Sequence, residues 1–279
     1  MMEKNIGKTY VLASAHFKGG VGKTTSTVNS AVLLGKMGYK VLVIDLDNQR
    51  NATKHISTEA QIDKINLTLR DIFEQYKTIN PYDVIIGPEG TNFENVSLIA
   101  CDKNIRDVEI NIQRTSAVPN EILRRVLKKI EGDFDFIILD CPPRMETLTY
   151  NAFLASNSII LPLDGEYSIQ GLEDILYTMD DMETSNPNLK ILAPILNFYK
   201  KRNIVDMSLA EDIREEFSQE NVLNRLVHKD LICIPNATVF EQASYLKSSI
   251  FDIDTNEDTP ATLAIKSIVE MIVNEYKKL

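Results

Sequence analysis

The chain contains no tryptophan and only three cysteines in 279 residues. Cys101, Cys141 and Cys233 are isolated from one another, with no Cys-x-x-Cys pair. This spacing argues against a disulfide framework, a zinc site and an iron–sulfur cluster. The chain also lacks an apolar run long enough to span a membrane, and its N-terminus has no apolar signal region. We therefore predict a cytoplasmic protein with no membrane partner.

Positive charge is scarce as well. The 30 Lys and Arg residues are outnumbered by 40 Asp and Glu, which gives a net charge of −10. A protein of this charge does not attract nucleic acid through bulk electrostatics. An apolar content of 44% is enough for one large α/β domain or at most two small ones. No internal repeat or low-complexity linker divides the sequence, so we predict a single domain over residues 1–279.

The most informative segment that is present is glycine-rich. Residues 17–25 read Phe-Lys-Gly-Gly-Val-Gly-Lys-Thr-Thr, between a predicted strand at 9–15 and a predicted helix at 23–37. A glycine-rich turn in this setting is typical of a phosphate-binding loop, because unpaired N–H groups and the helix dipole attract anions. In such a loop Lys23 faces the β- and γ-phosphates and Thr24 ligates Mg²⁺. The alternative is a glycine-rich turn that carries surface lysines.

The loop departs from the strict phosphate-loop pattern, which requires glycine where this chain has Phe17, and it carries a second lysine, Lys18. The string Lys-Gly-Gly-x-Gly-Lys-Thr-Thr resembles the deviant loop of the ParA/MinD family of ATPases. The resemblance implies that Lys18 crosses a dimer interface to the partner subunit's nucleotide, and that ATP and Mg²⁺ are the cofactors. The nucleotide-binding residues expected in the loop are Lys18, Gly19, Gly20, Val21, Gly22, Lys23, Thr24 and Thr25.

Aspartates follow two other predicted strands. The apolar run 134–140 ends in Asp140, just before two prolines that stop the strand. Because parallel strands present ligand groups at their carboxyl ends, we expect Asp140 to hold magnesium through its water shell. The alternative is a strand end with only a structural role.

The second acidic strand end lies at residues 40–47, where Asp45 and Asp47 close a strand buried on both faces. The family's matching Asp-x-Asp-Pro-Gln segment implies that Asp47 orients or activates the attacking water, whereas Asp45 supports the magnesium shell. With Thr24 and Asp140, Asp45 completes the expected metal site, and Lys18, Lys23 and Asp47 form the catalytic set. In this chain Asn48 replaces the family's proline and Arg50 replaces a common glycine. The alternative is a solvated acidic turn.

Contacts to the adenine base are expected at the ends of the last two predicted strands, 190–197 and 231–236. Asn197 has an amide that can read the donor–acceptor edge of adenine, although a turn or cap role is the alternative. By resemblance to the family's adenine-binding loop, Pro235 and Asn236 supply backbone contacts. Residues 164–172 resemble a family segment that lies near the dimer face.

Strands and helices alternate along the sequence, which predicts a doubly wound α/β fold with a mostly parallel sheet and helices on both faces. In the last predicted helix, Leu263, Ile268, Ile272 and Tyr276 are expected to face the core. The remaining predicted elements are strands at 95–100 and 158–163 and helices at 67–73, 119–130 and 260–276.

The resemblance implies a partition ATPase of the short Soj type, without an N-terminal helix-turn-helix domain, that segregates plasmid or chromosome DNA. It implies a homodimer that forms on Mg-ATP, holds nucleoid DNA without sequence preference, and hydrolyses ATP when a ParB-like partner stimulates it. Two alternatives stay open: a MinD-like or other positioning ATPase of the same family, and a nucleotide-gated adaptor that does not hydrolyse ATP.

Two basic clusters are candidates for DNA contacts. One is the string Lys200-Lys201-Arg202, and the other is the polar face of the 119–130 helix, for which a solvated face is the alternative. Residues 197–251 contain seven Lys and Arg against eight Asp and Glu, which weakens the case for DNA binding.

Overall fold

The computed structural model describes residues 7–165, 167–254, 256 and 258–279, excluding the side chains of 59 and 167–170. Within these residues, seven strands form one sheet in which every paired strand is parallel. The strands are β1 (Tyr10–Ser14), β2 (Val41–Asp45), β3 (Val96–Ile99), β4 (Phe136–Asp140), β5 (Ser158–Leu163), β6 (Lys190–Tyr199) and β7 (Ile232–Pro235).

Helices connect these strands. They are α1 (Lys23–Lys36), α2 (Asn51–Ile56), α3 (Glu59–Ile62), α4 (Leu69–Gln75), α5 (Ile105–Thr115), α6 (Ile122–Leu127), α7 (Thr147–Ala155), α8 (Tyr167–Asp181), α9 (Ile204–Glu216), α10 (Glu220–Leu223), α11 (Thr238–Leu246), α12 (Ile250–Ile253) and α13 (Pro260–Tyr276).

The strand order is β3-β2-β4-β1-β5-β6-β7. The chain therefore leaves β1 in one direction to build β2 and β3, and later fills the other side with β5, β6 and β7. Ligands of open parallel sheets bind beyond the carboxyl ends of the strands, where the direction of winding reverses. The loop after β1 and the aspartates that end β2 and β4 lie at that position.

Both faces of the sheet are buried. In β1, Leu12 packs with α1 and α13 on one face, whereas Val11 and Ala13 belong to the cluster under α5–α9 on the other. A strand covered on both sides has no polar alternation, which explains the continuous apolar runs in the sequence. The predicted doubly wound α/β fold is confirmed.

Two details of the predicted helices are wrong. The helix expected at 119–130 begins only at Ile122 and ends at Leu127, followed by a short 3₁₀ turn at Lys128–Ile130. In α13, Leu263 is 45% exposed, and the buried face includes Ile265 together with the predicted Ile268, Ile272 and Tyr276. Residue 263 lies about 200° around the helix from 265, so it is directed away from the core.

Candidate nucleotide-binding site

The loop between β1 and α1 has the backbone conformation of an anion-binding turn. Gly20 and Gly22 have φ values of 78° and 90°, a region that residues with a Cβ rarely adopt. Gly22 also has no room for a side chain, because a Cβ there would lie 1.8 Å from Nδ2 of Asn197. Its carbonyl accepts the hydrogen bond of Ser26 N–H, which starts the helix. The first N–H groups of α1 are thereby directed at the loop.

Lys23 is held inside this loop. Its side chain is buried, and Nζ donates to the carbonyl oxygens of His16 and Lys18, each at 3.0 Å. Burial lowers the pKa of Lys23, and the charges of Asp140 and Asp47 partly oppose that shift. Both of these acceptors are uncharged main-chain carbonyls. Among the described residues no carboxylate pairs with the ammonium group, whose charge therefore suits a phosphate.

Asp45 and Asp140 are neighbours across the β2–β4 pairing, and both are buried. The hydroxyl of Thr24 donates to Oδ2 of Asp140 at 2.7 Å, and the hydroxyl of Thr27 donates to Oδ1 at 3.2 Å. Burial and the charge of Asp45 raise the pKa of Asp140 to about 7. Burial likewise raises the pKa of Asp45 to about 6, although hydrogen bonds from Thr53 oppose it. Two buried carboxyls beside a hydroxyl form a donor set that fits a hard divalent cation such as Mg²⁺.

Asp45 also organises the turn that carries Asp47. Its Oδ1 accepts from the Asp47 N–H at 3.0 Å, and its Oδ2 accepts from both the N–H and the hydroxyl of Thr53 at 2.8 Å. The Asp47 side chain is partly exposed, and its Oδ1 accepts from the Gln49 N–H. Arg50 has φ 60°, a left-handed conformation that glycine adopts more readily than other residues.

Lys18 lies on the opposite side of the loop from these carboxylates. Its Nζ donates to the main-chain oxygen of Asp164 at 2.9 Å and lies 3.5 Å from Oδ2 of the same residue. The Lys18 side chain is 42% exposed, so solvent screens this ion pair. Asp164 directly follows β5, and the next part of the predicted dimer-face segment, Glu166, lies outside the described residues.

Asn197 binds the main chain of the phosphate loop from the end of β6. Its side chain is buried, with Nδ2 donating to the Val21 carbonyl at 2.8 Å and Oδ1 accepting from the Phe198 N–H at 2.9 Å. The predicted adenine contact of Asn197 stays a prediction, as do those of Pro235 and Asn236. Pro235 is the last residue of β7 and Asn236 follows it. The Asn236 N–H donates to the Tyr199 carbonyl at the adjacent end of β6.

The sequence analysis assigned no contact in the site to His16, Thr53 or Asp164, although Asp164 begins the predicted dimer-face segment. Thr53 donates a hydrogen bond to Asp45, and Asp164 pairs with Lys18. The Lys18 N–H donates to Nδ1 of His16 at 2.9 Å. The sequence signal for His16 is its position two residues before Lys18, which places it close to the loop. Nothing in the sequence places Asp164 beside a lysine 146 positions away.

The support that Asn197 gives to the loop leads to a prediction. Asn197→Ala removes the hydrogen bond to Val21, so we expect the affinity for ATP and for GTP to fall alike, each by about tenfold. Titrations of the variant with fluorescent analogues of the two nucleotides measure this. A loss confined to ATP would instead assign the side chain to adenine recognition and contradict loop support.

The raised pKa of Asp140 leads to a second prediction. When the pKa of a carboxyl is higher in the folded protein than in the unfolded chain, ionisation of the carboxyl destabilises the fold. The destabilisation begins as pH rises past the pKa of the unfolded chain and is complete above the pKa of the folded protein. Asp140→Asn should therefore raise the free energy of unfolding of the nucleotide-free protein at pH 8 by about 2 kcal/mol. The gain should shrink as pH falls from 7 towards 4. Denaturant unfolding at several pH values measures it, and a destabilised variant at pH 8 would contradict the sign.

Comparison with known proteins agrees with this geometry. A family model described as an AAA domain matches residues 9–191. The chain is 31% identical over 210 residues to the sporulation initiation inhibitor protein Soj of Bacillus subtilis, covering 74% of this chain and 79% of Soj. It is 31% identical over 221 residues to the chromosome partitioning protein ParA of Caulobacter vibrioides, covering 75% of this chain and 77% of ParA.

A solved structure extends the comparison to the whole fold. The septum site-determining protein MinD of Pyrococcus horikoshii, complexed with Mg-ADP, superimposes with a TM-score of 0.70 at 26% identity, covering 97% of this chain and 100% of MinD. The parallel sheet, the deviant loop and the aspartates at two strand ends define a P-loop nucleotide-binding protein. Within that class, the chain belongs to the ParA/MinD superfamily, in the family of Soj and ParA.

Proposed function

We propose that this chain is a ParA-type partition ATPase, a single domain that binds Mg-ATP and dimerises on it. The observation that carries the proposal is the convergence of Lys18, Lys23, Thr24, Asp47 and Asp140 around one loop. The MinD structure holds Mg-ADP, and the donor set of this chain fits the same ligand class. Among the described residues one sheet contains all of the strands β1 to β7, and α13 packs against it, which supports a single functional unit.

The residues of the loop have distinct roles in holding ATP. The first N–H groups of α1 and the turn at Gly20 and Gly22 bind the phosphate oxygens. Lys23 leaves the carbonyls of His16 and Lys18 and places its charge on the terminal phosphates. Thr24 and Asp140, with Asp45 beside them, would hold the magnesium ion, which when bound neutralises charge on the β- and γ-phosphate oxygens.

Asp47 is the residue that acts on the attacking water. The Asp47 N–H donates a hydrogen bond to the Asp45 carboxylate. This bond fixes the main chain at Asp47 and so orients its carboxylate, although the side chain is partly exposed. Asp45 and Asp140 are buried, whereas the Asp47 carboxylate is partly exposed and can accept a hydrogen bond from water. Besides its place at the magnesium site, Asp45 is proposed to position Asp47.

Dimerisation is proposed to move Lys18. In the single chain its ammonium group is bound to Asp164 through a partly exposed contact, which is weak enough to exchange for a phosphate. A lysine from the partner subunit would then add a second positive charge at the γ-phosphate, as an arginine finger does.

DNA binding and a ParB-like partner are proposed from the relationship to Soj and to ParA of Caulobacter vibrioides. The exposed string Lys200-Lys201-Arg202 at the carboxyl end of β6 supports a phosphate contact. The basic residues of α6 and of the turn after it support it less. Arg124 donates to the Ser185 carbonyl, Arg125 pairs with Glu121, and Lys129 donates to the Tyr76 and Ile79 carbonyls.

A DNA retention assay tests the partition function. We expect Mg-ATP, but not Mg-ADP, to cause retention of a random duplex, with an affinity that falls steeply as salt rises. Anionic vesicles serve as the second arm, because a MinD-like positioning ATPase would bind them instead. No helix among the described residues has the length and apolar character needed to cross a bilayer. ATP-dependent vesicle binding without DNA retention would overturn the partition proposal, as would the absence of both.

The adaptor alternative is tested by turnover. A single-turnover assay with a candidate partner protein should show phosphate release from the wild type. ATP that stays intact in a stable complex would indicate a nucleotide-gated adaptor and contradict the proposed ATPase.

A further inference from the structure

We propose that His16 is a positioning residue that connects the phosphate loop to the first turns of α8, through a contact that only glycine at position 171 permits. The inference rests on the proposed function, because it assigns a role in placing the two lysines of the nucleotide site.

The first observation is that His16 contacts both lysines. Its carbonyl oxygen accepts a hydrogen bond from Nζ of Lys23 at 3.0 Å, and its ring Nδ1 accepts the Lys18 N–H at 2.9 Å. The residue is 1% exposed. Because Nδ1 accepts this hydrogen bond, it carries no proton. One side chain therefore sets the main-chain direction at Lys18, and the same residue's carbonyl binds the ammonium group of Lys23.

The second observation is the position of the opposite ring edge. A Cβ built on Gly171 would lie 2.8 Å from both Cε1 and Nε2 of His16, closer than real Cβ atoms approach other atoms. Gly171 lies in α8, where glycine is less favourable than alanine by up to about 1 kcal/mol in helix propensity. The close packing of the imidazole against the helix backbone is a physical reason for a glycine at this position.

Through these contacts, the junction between β5 and α8 holds both the side chain and the main chain of Lys18. Asp164, at the end of β5, binds the Lys18 ammonium group, and Gly171 in α8 fixes the imidazole that binds its main chain. Packed groups move together because the interior has no free volume. A displacement of α8 is therefore transmitted to Lys18 through the His16 ring, so that the junction and the loop change conformation together.

The test is a double-mutant cycle. Gly171→Ala forces the added methyl into the ring of His16. His16→Asn removes the ring edge, and the Asn side chain can still accept the N–H two residues later, as in an Asx turn. The deciding quantity is the effect of Gly171→Ala in each background. In the wild type we expect a lower thermal midpoint and about tenfold weaker binding of Mg-mant-ATP. In the His16→Asn background the same change should raise the thermal midpoint, because alanine favours the helix.

Amide hydrogen exchange of Lys18 in the nucleotide-free protein provides an independent measurement. We expect slow exchange in the wild type and in His16→Asn, and exchange at least about tenfold faster in His16→Ala and in Gly171→Ala. Equal effects of Gly171→Ala in both backgrounds, or a Lys18 amide that exchanges at the same rate in all variants, would overturn the proposal. Failure of the wild type to bind Mg-mant-ATP would instead reject the proposed function, while the thermal and exchange data would still decide the role of His16.

Discussion

Asp47→Ala is expected to bind Mg-ATP with near wild-type affinity and to hydrolyse it at least about 100-fold more slowly, because it removes the carboxylate that orients the attacking water. The phosphate-binding groups of the loop and the pair Asp45 and Asp140 are untouched by this change. The ATP-bound dimer should therefore accumulate. Phosphate release measures turnover, and sedimentation with ATP measures the dimer.

The structure offers a matched control for this variant. Asp102 also lies just beyond a strand at the carboxyl edge of the sheet, and its carboxylate accepts the N–H two residues later, from Asn104. Asp102→Ala removes the same kind of turn contact without touching the loop, so turnover should stay at the wild-type level. Wild-type turnover in Asp47→Ala would show that another group activates the water.

Lys18→Ala is expected to abolish both ATP-dependent dimerisation and turnover, with a loss of about 10³-fold or more in hydrolysis. The physical reason is that a cation supplied across the interface stabilises charge on the γ-phosphate while it joins the subunits. Nucleotide binding to the single chain should persist, because Lys23 and the loop N–H groups remain. Sedimentation with a non-hydrolysable ATP analogue and a phosphate-release assay measure the two effects.

Lys36→Ala is the control for Lys18→Ala. Lys36 is 41% exposed and pairs with a single carboxylate, Asp252, as Lys18 at 42% pairs with Asp164. Lys36 lies in the last turn of α1, away from the loop, and its removal should leave dimerisation intact. A Lys18→Ala variant that dimerises and turns over ATP normally would contradict the cross-subunit role.

Much of the fold was predictable because its signals are local. Each of the seven strands is a short apolar run bounded by turn residues, and both faces of the sheet are buried, so the runs are continuous. The start of α6 and the exposure of Leu263 were predicted wrongly, because helix ends and helix faces depend on what packs against them.

In the candidate site, too, local patterns were predictable from the sequence and long-range contacts were not. The loop residues Lys23 and Thr24 and the strand-end aspartates Asp45 and Asp140 were predicted by motif and by position after a strand, and their role in binding stays a prediction. The contacts that hold them were not identified, since the partners are distant in sequence. Asn197 binds the loop carbonyl of Val21 from 176 residues away.

The sequence by itself determined the class of protein, because a phosphate loop and its aspartates are short patterns whose chemistry follows from adjacent residues. The tertiary structure alone decided where the second lysine rests and what holds it. Lys18 pairs with Asp164, and the imidazole of His16 packs against Gly171, only because parallel pairing places the ends of β1 and β5 side by side. Such pairing depends on how the whole chain packs, so no local pattern encodes it.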